Sequence, residues 1–164
     1  DKYIYFHLKK KIADDLGWEI NELNTLFNKF TEFYPNVILT KDIEIDKNNT
    51  IFKNNFNSYD LKTSKFIDNN SKVLFLDNIE GKDLYNVIKL SEKVVAFHGM
   101  MTNLGSLEYK PVIDLFYCKI NSWNDYRNYR NSFYEFKPKY KGYNFIIPSK
   151  DINKTLKKIL FLLK

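Results

Sequence analysis

The sequence predicts one α/β domain with a mainly parallel sheet and helices on both faces. Short apolar runs of strand length alternate along the chain with longer segments of helical spacing. The strand runs are nearly continuous, which is typical of strands buried on both faces. The 164 residues are 44% hydrophobic, and no linker rich in Pro, Gly or Ser divides them. We therefore expect a single Rossmann-like domain over residues 1–164.

The first third of the chain supplies two strands and one helix. Residues 3–8 form an apolar run that predicts the first strand. Apolar residues at helical spacing predict a helix over 19–33, which Pro35 ends. Residues 36–40 predict the second strand. The following stretch, 41–60, alternates irregularly and is rich in Asn, so a short hairpin or a long surface loop is expected there.

The rest of the chain continues the alternation. Further strands are predicted at 73–76, 93–97, 111–117 and 143–147. Further helices are predicted at 82–90, 100–109 and 149–163, with a helix of aromatic face within 122–136. The last helix has two candidate caps, Ser149 and Asp151. Strands separated by helices indicate right-handed crossovers and hence a parallel sheet.

Composition limits the class of protein. The apolar runs are shorter than the roughly 20 residues that cross a bilayer. Cys118 is the only cysteine, so a disulfide framework is excluded and a reducing, cytoplasmic location is expected. The net charge of +6 comes from scattered lysines, since Arg127 and Arg130 are the only arginines. We expect a solvated surface rather than a nucleic-acid interface, although contact with an anionic partner or the inner face of a membrane stays open.

Several classes of chemistry lack their motifs. Two histidines, one cysteine and no Asp-x-Asp pair leave no recognisable metal-ligand set. The chain has no Gly-x-Ser-x-Gly elbow, no Gly-x-Gly-x-x-Gly fingerprint and no P-loop. We therefore expect no metal and no other cofactor.

The leading candidate site follows the strand at 93–97. Ligands of open α/β sheets bind outside the carboxyl ends of strands, and His98 and Gly99 stand at such an end. Gly99 permits close approach of the backbone, and the helix that begins with Thr102 and Asn103 nearby attracts phosphate to its N-terminus. A tight turn at Gly99 with a satisfied, partly buried His98 is the structural alternative. Gly105 is expected to allow close packing of this helix on the sheet.

The segment EKVVAFHGMMTNLGSLEYKPVIDLF, residues 92–116, resembles the donor-site segment of GT-B type glycosyltransferases. HGMMTN is similar to the HGA-x-x-TN signature of the family that includes xylosyl- and N-acetylglucosaminyltransferases. The KPVI strand resembles that of heptosyltransferases and other GT-B enzymes. The resemblance assigns to the donor loop the residues His98, Gly99, Met100, Thr102 and Asn103. It makes Glu108 the candidate for the acidic residue of the next helix.

The resemblance also implies a function. In GT-B enzymes the carboxyl-terminal Rossmann-like domain binds the nucleotide-sugar, and an amino-terminal domain binds the acceptor. This chain would then be the donor-binding half of a polysaccharide-biosynthesis transferase whose partners are a nucleotide-sugar, an acceptor glycan and the missing acceptor domain. The alternative is a non-catalytic α/β module whose lysine-rich face meets an anionic partner.

A second cluster of candidates follows other strands. His7, Lys9 and Lys10 come at the end of the first strand, and in the GT-B arrangement the equivalent loop faces the donor phosphates. A lysine there would offset the charge of a departing diphosphate; a solvated lysine run is the alternative. Asp77 ends another strand and is placed as a contact to base or ribose. We expect His7, Asp77 and His98 near one edge of the sheet.

Overall fold

The computed structural model of the protein describes residues 2–42, 50–79, 81–117, 127–128, 131 and 138–164. Its strands are β1 (Tyr3–Leu8), β2 (Asn36–Lys41), β3 (Asn57–Asp60), β4 (Lys65–Ile67), β5 (Val73–Asp77), β6 (Lys93–Phe97), β7 (Val112–Leu115) and β8 (Tyr143–Ile146). Its longer helical segments are α1 (Lys10–Leu16), α2 (Ile20–Thr31), α3 (Thr50–Asn55), α4 (Gly81–Leu90), α5 (Met100–Leu107) and α6 (Ile152–Leu163). The described helices include none that is long and apolar enough to cross a membrane.

The strands form one sheet in the order β4-β3-β5-β2-β1-β6-β7-β8. Every neighbouring pair is parallel except β3 and β4, which are antiparallel. On one side of β1 lie β2, β5, β3 and β4, with the later strand β5 between β2 and β3. The chain then crosses to the other side of β1, where β6, β7 and β8 follow in chain order. The predicted mainly parallel sheet is confirmed, and the point where the strand order reverses lies between β1 and β6.

Helices cover both faces of the sheet, as predicted. On one face α1, α2, α3 and α6 pack against side chains such as Ile4, Phe6 and Val37. On the other face α4 and α5 pack against Tyr5 and Val94. Since successive side chains of a strand point to opposite faces, β1 contributes to both cores at once. Continuous apolar runs are the sequence pattern that this double burial requires.

Most predicted elements are confirmed within a few residues at their ends. The cap of α6 is Asp151, whose side chain accepts a hydrogen bond from the Asn153 backbone N–H at 3.0 Å. The prediction for Gly105 also holds, because a Cβ placed there would lie 3.0 Å from side-chain carbons of both Val94 and Val112. The aromatic helix predicted within 122–136 falls almost entirely outside the described residues.

The prediction of a hairpin or loop over 41–60 was wrong for residues 50–60, whereas residues 43–49 lie outside the described part. The described part, from residue 50 onward, contains α3 and β3, and β3 pairs in parallel with β5. The polar sequence of β3 resembles that of a loop, but the Asn57 amide is hydrogen-bonded within the fold. Its Nδ2 donates to the Ser71 carbonyl at 2.9 Å, and its Oδ1 accepts from the Asn69 N–H at 2.7 Å. Hydrogen bonds with residues 12 and 14 positions further along the chain thus satisfy the polar side chain of this strand.

Helix α1 was missed as well. It has only two buried residues, Ala13 and Leu16, so its apolar pattern is too short for periodicity to detect. Gly17 ends it in a left-handed conformation at φ 71° and donates its backbone N–H to the carbonyls of Ala13 and Asp14. The lysines placed after the first strand therefore lie at the start of a helix and not in an open loop.

Candidate functional site

A cavity of about 360 Å³ opens at the carboxyl edge of the sheet, where β1, β2 and β6 end. One wall is polar and comes from the ends of β1 and β2: His7, Lys9, Thr40, Lys41 and Asp42. The facing wall is apolar and includes Ile79, Leu84, Phe97 and Met101. Met100, the first residue of α5, also lines the cavity. The cavity therefore lies beside the point of strand-order reversal, where open α/β sheets bind their ligands.

A buried hydrogen-bonded chain forms the base of the polar wall. His7 and Thr40 are register partners in β1 and β2, and His7 Nδ1 lies 2.8 Å from Thr40 Oγ1. The Tyr5 hydroxyl lies 2.6 Å from the same Thr40 oxygen. Burial lowers the pKa of His7 to about 4; Asp42 opposes the shift and Lys9 adds to it. Burial also raises the pKa of Tyr5. Both rings are therefore uncharged at neutral pH.

The loop after β6 is tied to the end of β1. Lys9 Nζ donates a hydrogen bond of 2.5 Å to the His98 carbonyl oxygen. Gly99 has φ +148°, a conformation open to glycine and strained for other residues. The Thr102 hydroxyl donates to the Gly99 carbonyl at 2.8 Å and accepts from the Gly99 N–H at 3.2 Å, which closes the first turn of α5. Thr102 is fully buried, so it shapes the loop from beneath.

The His98 ring is held by a buried carboxylate. His98 Nδ1 lies 2.6 Å from Asp114 Oδ2, and Asp114 is fully buried. The Tyr143 hydroxyl donates to the same oxygen, and burial together with the Asp114 charge raises the pKa of Tyr143. The ring also packs edge-on against Phe116 at a centroid distance of 4.9 Å. Because the carboxylate accepts, Nδ1 carries a proton and the ring orientation is fixed.

One oxygen of the Asp114 carboxylate is left without a hydrogen-bond donor in the described part of the chain. Its second oxygen, Oδ1, is buried and has no hydrogen-bond partner among the described residues. A buried carboxylate oxygen without a donor is costly, which marks this position as more than a packing residue. Asp114 was not predicted as a site residue, because it lies inside the apolar run of β7, where a single polar residue gives no signal of its partners.

The structure brings some predicted site residues together. His7, Lys9 and Met100 line the cavity, and the bond from Lys9 ties His98 and Gly99 to the same edge of the sheet. Thr40, Lys41 and Asp42 join them and were missed. Their signal was present in the sequence, since they follow the apolar run of the second strand as His98 follows that of β6.

Other predicted site residues lie apart from the cavity. Asp77 stands at the same edge, at the end of β5, but its Oδ2 is 2.7 Å from Lys53 Nζ and its Oδ1 accepts from the Asn78 N–H. This pairing secures the α3 segment against the sheet. Lys10 forms an ion pair with Asp14 one turn along α1, and its backbone N–H donates to Asp42 at 3.0 Å.

The remaining two candidates lie on α5. Asn103 is exposed in its first turn, at the cavity end of the helix. Glu108 follows the last residue of α5, which places it roughly 12 Å away along an eight-residue helix. Its carboxylate accepts a hydrogen bond from Tyr85 of α4. The structure therefore separates Glu108 from the other candidates.

Comparisons with known proteins identify a similar fold but no relative in sequence. No protein-family model and no curated protein matches the chain in sequence. The fold is similar to that of a protein assigned as a UDP-N-acetylglucosamine 2-epimerase from Listeria monocytogenes, with a TM-score of 0.59 and 13% sequence identity. The similarity covers 99% of this chain and 37% of that one. The chain thus spans little more than a third of that protein's length.

Proposed function

We propose that this chain is the donor-binding domain of a glycosyltransferase and that its cavity binds a nucleoside diphosphate sugar. One observation carries the proposal: at the reversal point of the sheet, two lysines and the start of α5 border a cavity whose opposite wall is apolar. Lys9, Lys41 and the free N–H groups of the helix N-terminus suit a diphosphate. The apolar wall and the uncharged His7 and Thr40 suit a base or a sugar.

The fold comparison supports the ligand class. The Listeria protein is named for UDP-N-acetylglucosamine, and its fold is shared by nearly the whole of this chain. The HGMMTN segment, whose resemblance to glycosyltransferases suggested the donor loop, comprises the two residues after β6 and the first turn of α5. UDP and UDP-N-acetylglucosamine are therefore the first ligands to test.

In the proposed reaction an acceptor hydroxyl oxygen bonds to the anomeric carbon of the sugar. The bond from that carbon to the β-phosphate oxygen breaks, and the nucleoside diphosphate leaves with the electron pair. The hydroxyl proton passes to a base of an acceptor domain outside this chain. Lys9, Lys41 and the α5 N-terminus would stabilise the charge that develops on the diphosphate. We place the reaction in the cytoplasm, in polysaccharide biosynthesis, with an acceptor glycan as second substrate.

Titration calorimetry tests the proposal. The chain is titrated with UDP, GDP, ADP, CDP and UDP-N-acetylglucosamine, and thermal unfolding is followed in parallel, because a ligand that binds the folded state raises the melting temperature. We expect at least one nucleotide to bind and little sugar transfer by the isolated chain. Absence of binding across the panel would overturn the proposal, and sustained transfer by the isolated chain would overturn the assignment as a donor half.

A further inference from the structure

We propose that His7 is a specificity-determining residue that donates a hydrogen bond from Nε2–H to an uncharged oxygen of the ligand. The hydrogen-bonded series Tyr5–Thr40–His7 would keep the proton of the neutral ring on Nε2. This inference rests on the proposed function and deepens it, because it assigns the polar floor of the cavity to the base or the sugar rather than to the diphosphate.

The direction of the hydrogen bonds among Tyr5, Thr40 and His7 follows from which donor would be left without an acceptor. Tyr5 is fully buried, and among the described residues its hydroxyl has Thr40 Oγ1 at 2.6 Å and His7 Nδ1 at 3.5 Å within reach. If His7 donated from Nδ1 to Thr40, either the Tyr5 or the Thr40 hydroxyl proton would be buried without an acceptor among the described residues. If Tyr5 donates to Thr40 and Thr40 donates to His7 Nδ1, the one proton left without a described acceptor is on His7 Nε2, and His7 lines the cavity, where a ligand oxygen can accept it.

This arrangement fixes the tautomer of His7. Nδ1 accepts from Thr40, so in the neutral ring the proton is on Nε2. No described group is bonded to Nε2, although His7 is 94% buried and lines the cavity. A donor in such a position gains most from a ligand oxygen, because few water molecules compete for it.

The charged groups around His7 agree with its role as an uncharged hydrogen-bond donor. Lys9 and Lys41 line the same wall, and among the described residues Asp42 is the acidic group whose charge acts on His7. Burial outweighs the attraction of Asp42 and keeps the ring neutral. A neutral imidazole contributes no charge to a diphosphate, whereas the two lysines do. The cavity thus separates charge recognition from recognition of a carbonyl or hydroxyl oxygen.

The test measures three probes on one set of variants. Inorganic diphosphate, UDP and UDP-N-acetylglucosamine are titrated by calorimetry into wild type, His7→Leu and His7→Gln. We expect His7→Leu to weaken a nucleotide probe about three- to tenfold, the effect of one neutral hydrogen bond, and to leave diphosphate within twofold. His7→Gln, which keeps an N–H donor at similar reach, should recover part of the loss. If His7→Leu weakens the binding of both UDP and UDP-N-acetylglucosamine, the accepting oxygen lies on the nucleoside. If it weakens only the binding of UDP-N-acetylglucosamine, that oxygen lies on the sugar.

A second measurement reads the tautomer without any ligand. Nitrogen-15 chemical shifts of His7 in the wild-type chain should show a bare Nδ1 and a protonated Nε2 at pH 7, and Thr40→Val should remove this preference. A protonated Nδ1 in wild type, or unchanged affinity of His7→Leu for all three probes, overturns the inference while leaving the proposed function in place. If wild type binds none of the probes, the proposed function fails and this inference fails with it.

Discussion

Lys9 Nζ and the carbonyl oxygen of His98 are joined by a hydrogen bond of 2.5 Å, which links the end of β1 to the loop after β6. The two residues are 89 positions apart in sequence. Their contact spans the reversal point of the sheet and places a cation directly against the Gly99 backbone, 2.7 Å from where a Cβ would lie. The same lysine lines the cavity, so it has a structural and a ligand-facing side.

Lys9→Met should weaken binding of UDP about tenfold or more, because a charged hydrogen bond to phosphate is lost while the apolar stem is kept. Calorimetry on wild type and variant measures this. Lys11→Met is the matched control: Lys11 is exposed in the first turn of α1, two residues beyond Lys9, and is not part of the cavity lining. Equal loss in both variants would show that only the overall charge matters.

Gly99→Ala should lower the free energy of unfolding by about 1–3 kcal/mol, because alanine rarely adopts φ +148°. The added Cβ would also displace Lys9 from the His98 carbonyl, so nucleotide affinity should fall. Gly17→Ala is the control, since Gly17 also has a positive φ but nothing lies within 4 Å of its Cβ position. Urea unfolding and calorimetry separate the effects: Gly17→Ala should lose stability and keep its affinity.

Asp114→Asn should weaken nucleotide binding through the His98 ring that it orients. A double-mutant cycle tests this: we expect a loss of about three- to tenfold in the wild-type background and none in His98→Ala. Asp114 is then a positioning residue. An equal loss in both backgrounds would mean that Asp114 acts on the fold of the loop independently of His98.

The free energy of unfolding should fall as the pH drops from about 6.5 to about 4, in part because of His7. The unfolded state takes up a proton on this histidine near pH 6.5, whereas burial lowers the folded-state pKa to about 4. Stability is therefore full above pH 6.5, and the loss attributable to His7 is about 3 kcal/mol at pH 4. Urea unfolding of wild type and His7→Gln over this range gives the difference. Parallel curves for the two proteins would contradict the shifted pKa.

Gly105→Leu should destabilise the fold by about 1–3 kcal/mol through overpacking, despite the higher helix propensity of leucine. The new side chain would meet Val94 and Val112, whose carbons lie 3.0 Å from the Cβ position. Adding Val94→Ala to the variant should recover part of the loss, as followed by thermal unfolding. Full stability of Gly105→Leu alone would show that α5 can move away from the sheet.

The predictable part of the fold follows from short-range patterns. The apolar run of β1 and the helical spacing of α2 are visible within ten to fifteen residues, and both elements lie where the sequence predicts. The position of His98 and Gly99 at a strand end follows from the same pattern. The strand β3 could not be recognised in this way, because the bonds that satisfy Asn57 come from residues 12 and 14 positions away.

The sequence by itself determined that the chain is an α/β domain and that polar residues gather at strand ends. A strand buried on both faces needs a short continuous run of apolar residues, and such a run is visible locally in the sequence. Only the tertiary structure decided which of those residues meet. The strand register sets His7 against Thr40 and Ala96 against Asp114. Each pair joins two different strands that are far apart in sequence. Pairing of this kind depends on how whole strands align in the sheet. No local pattern encodes it, so the cavity, the buried hydrogen-bonded chain and the His98–Asp114 pair emerge only from the fold.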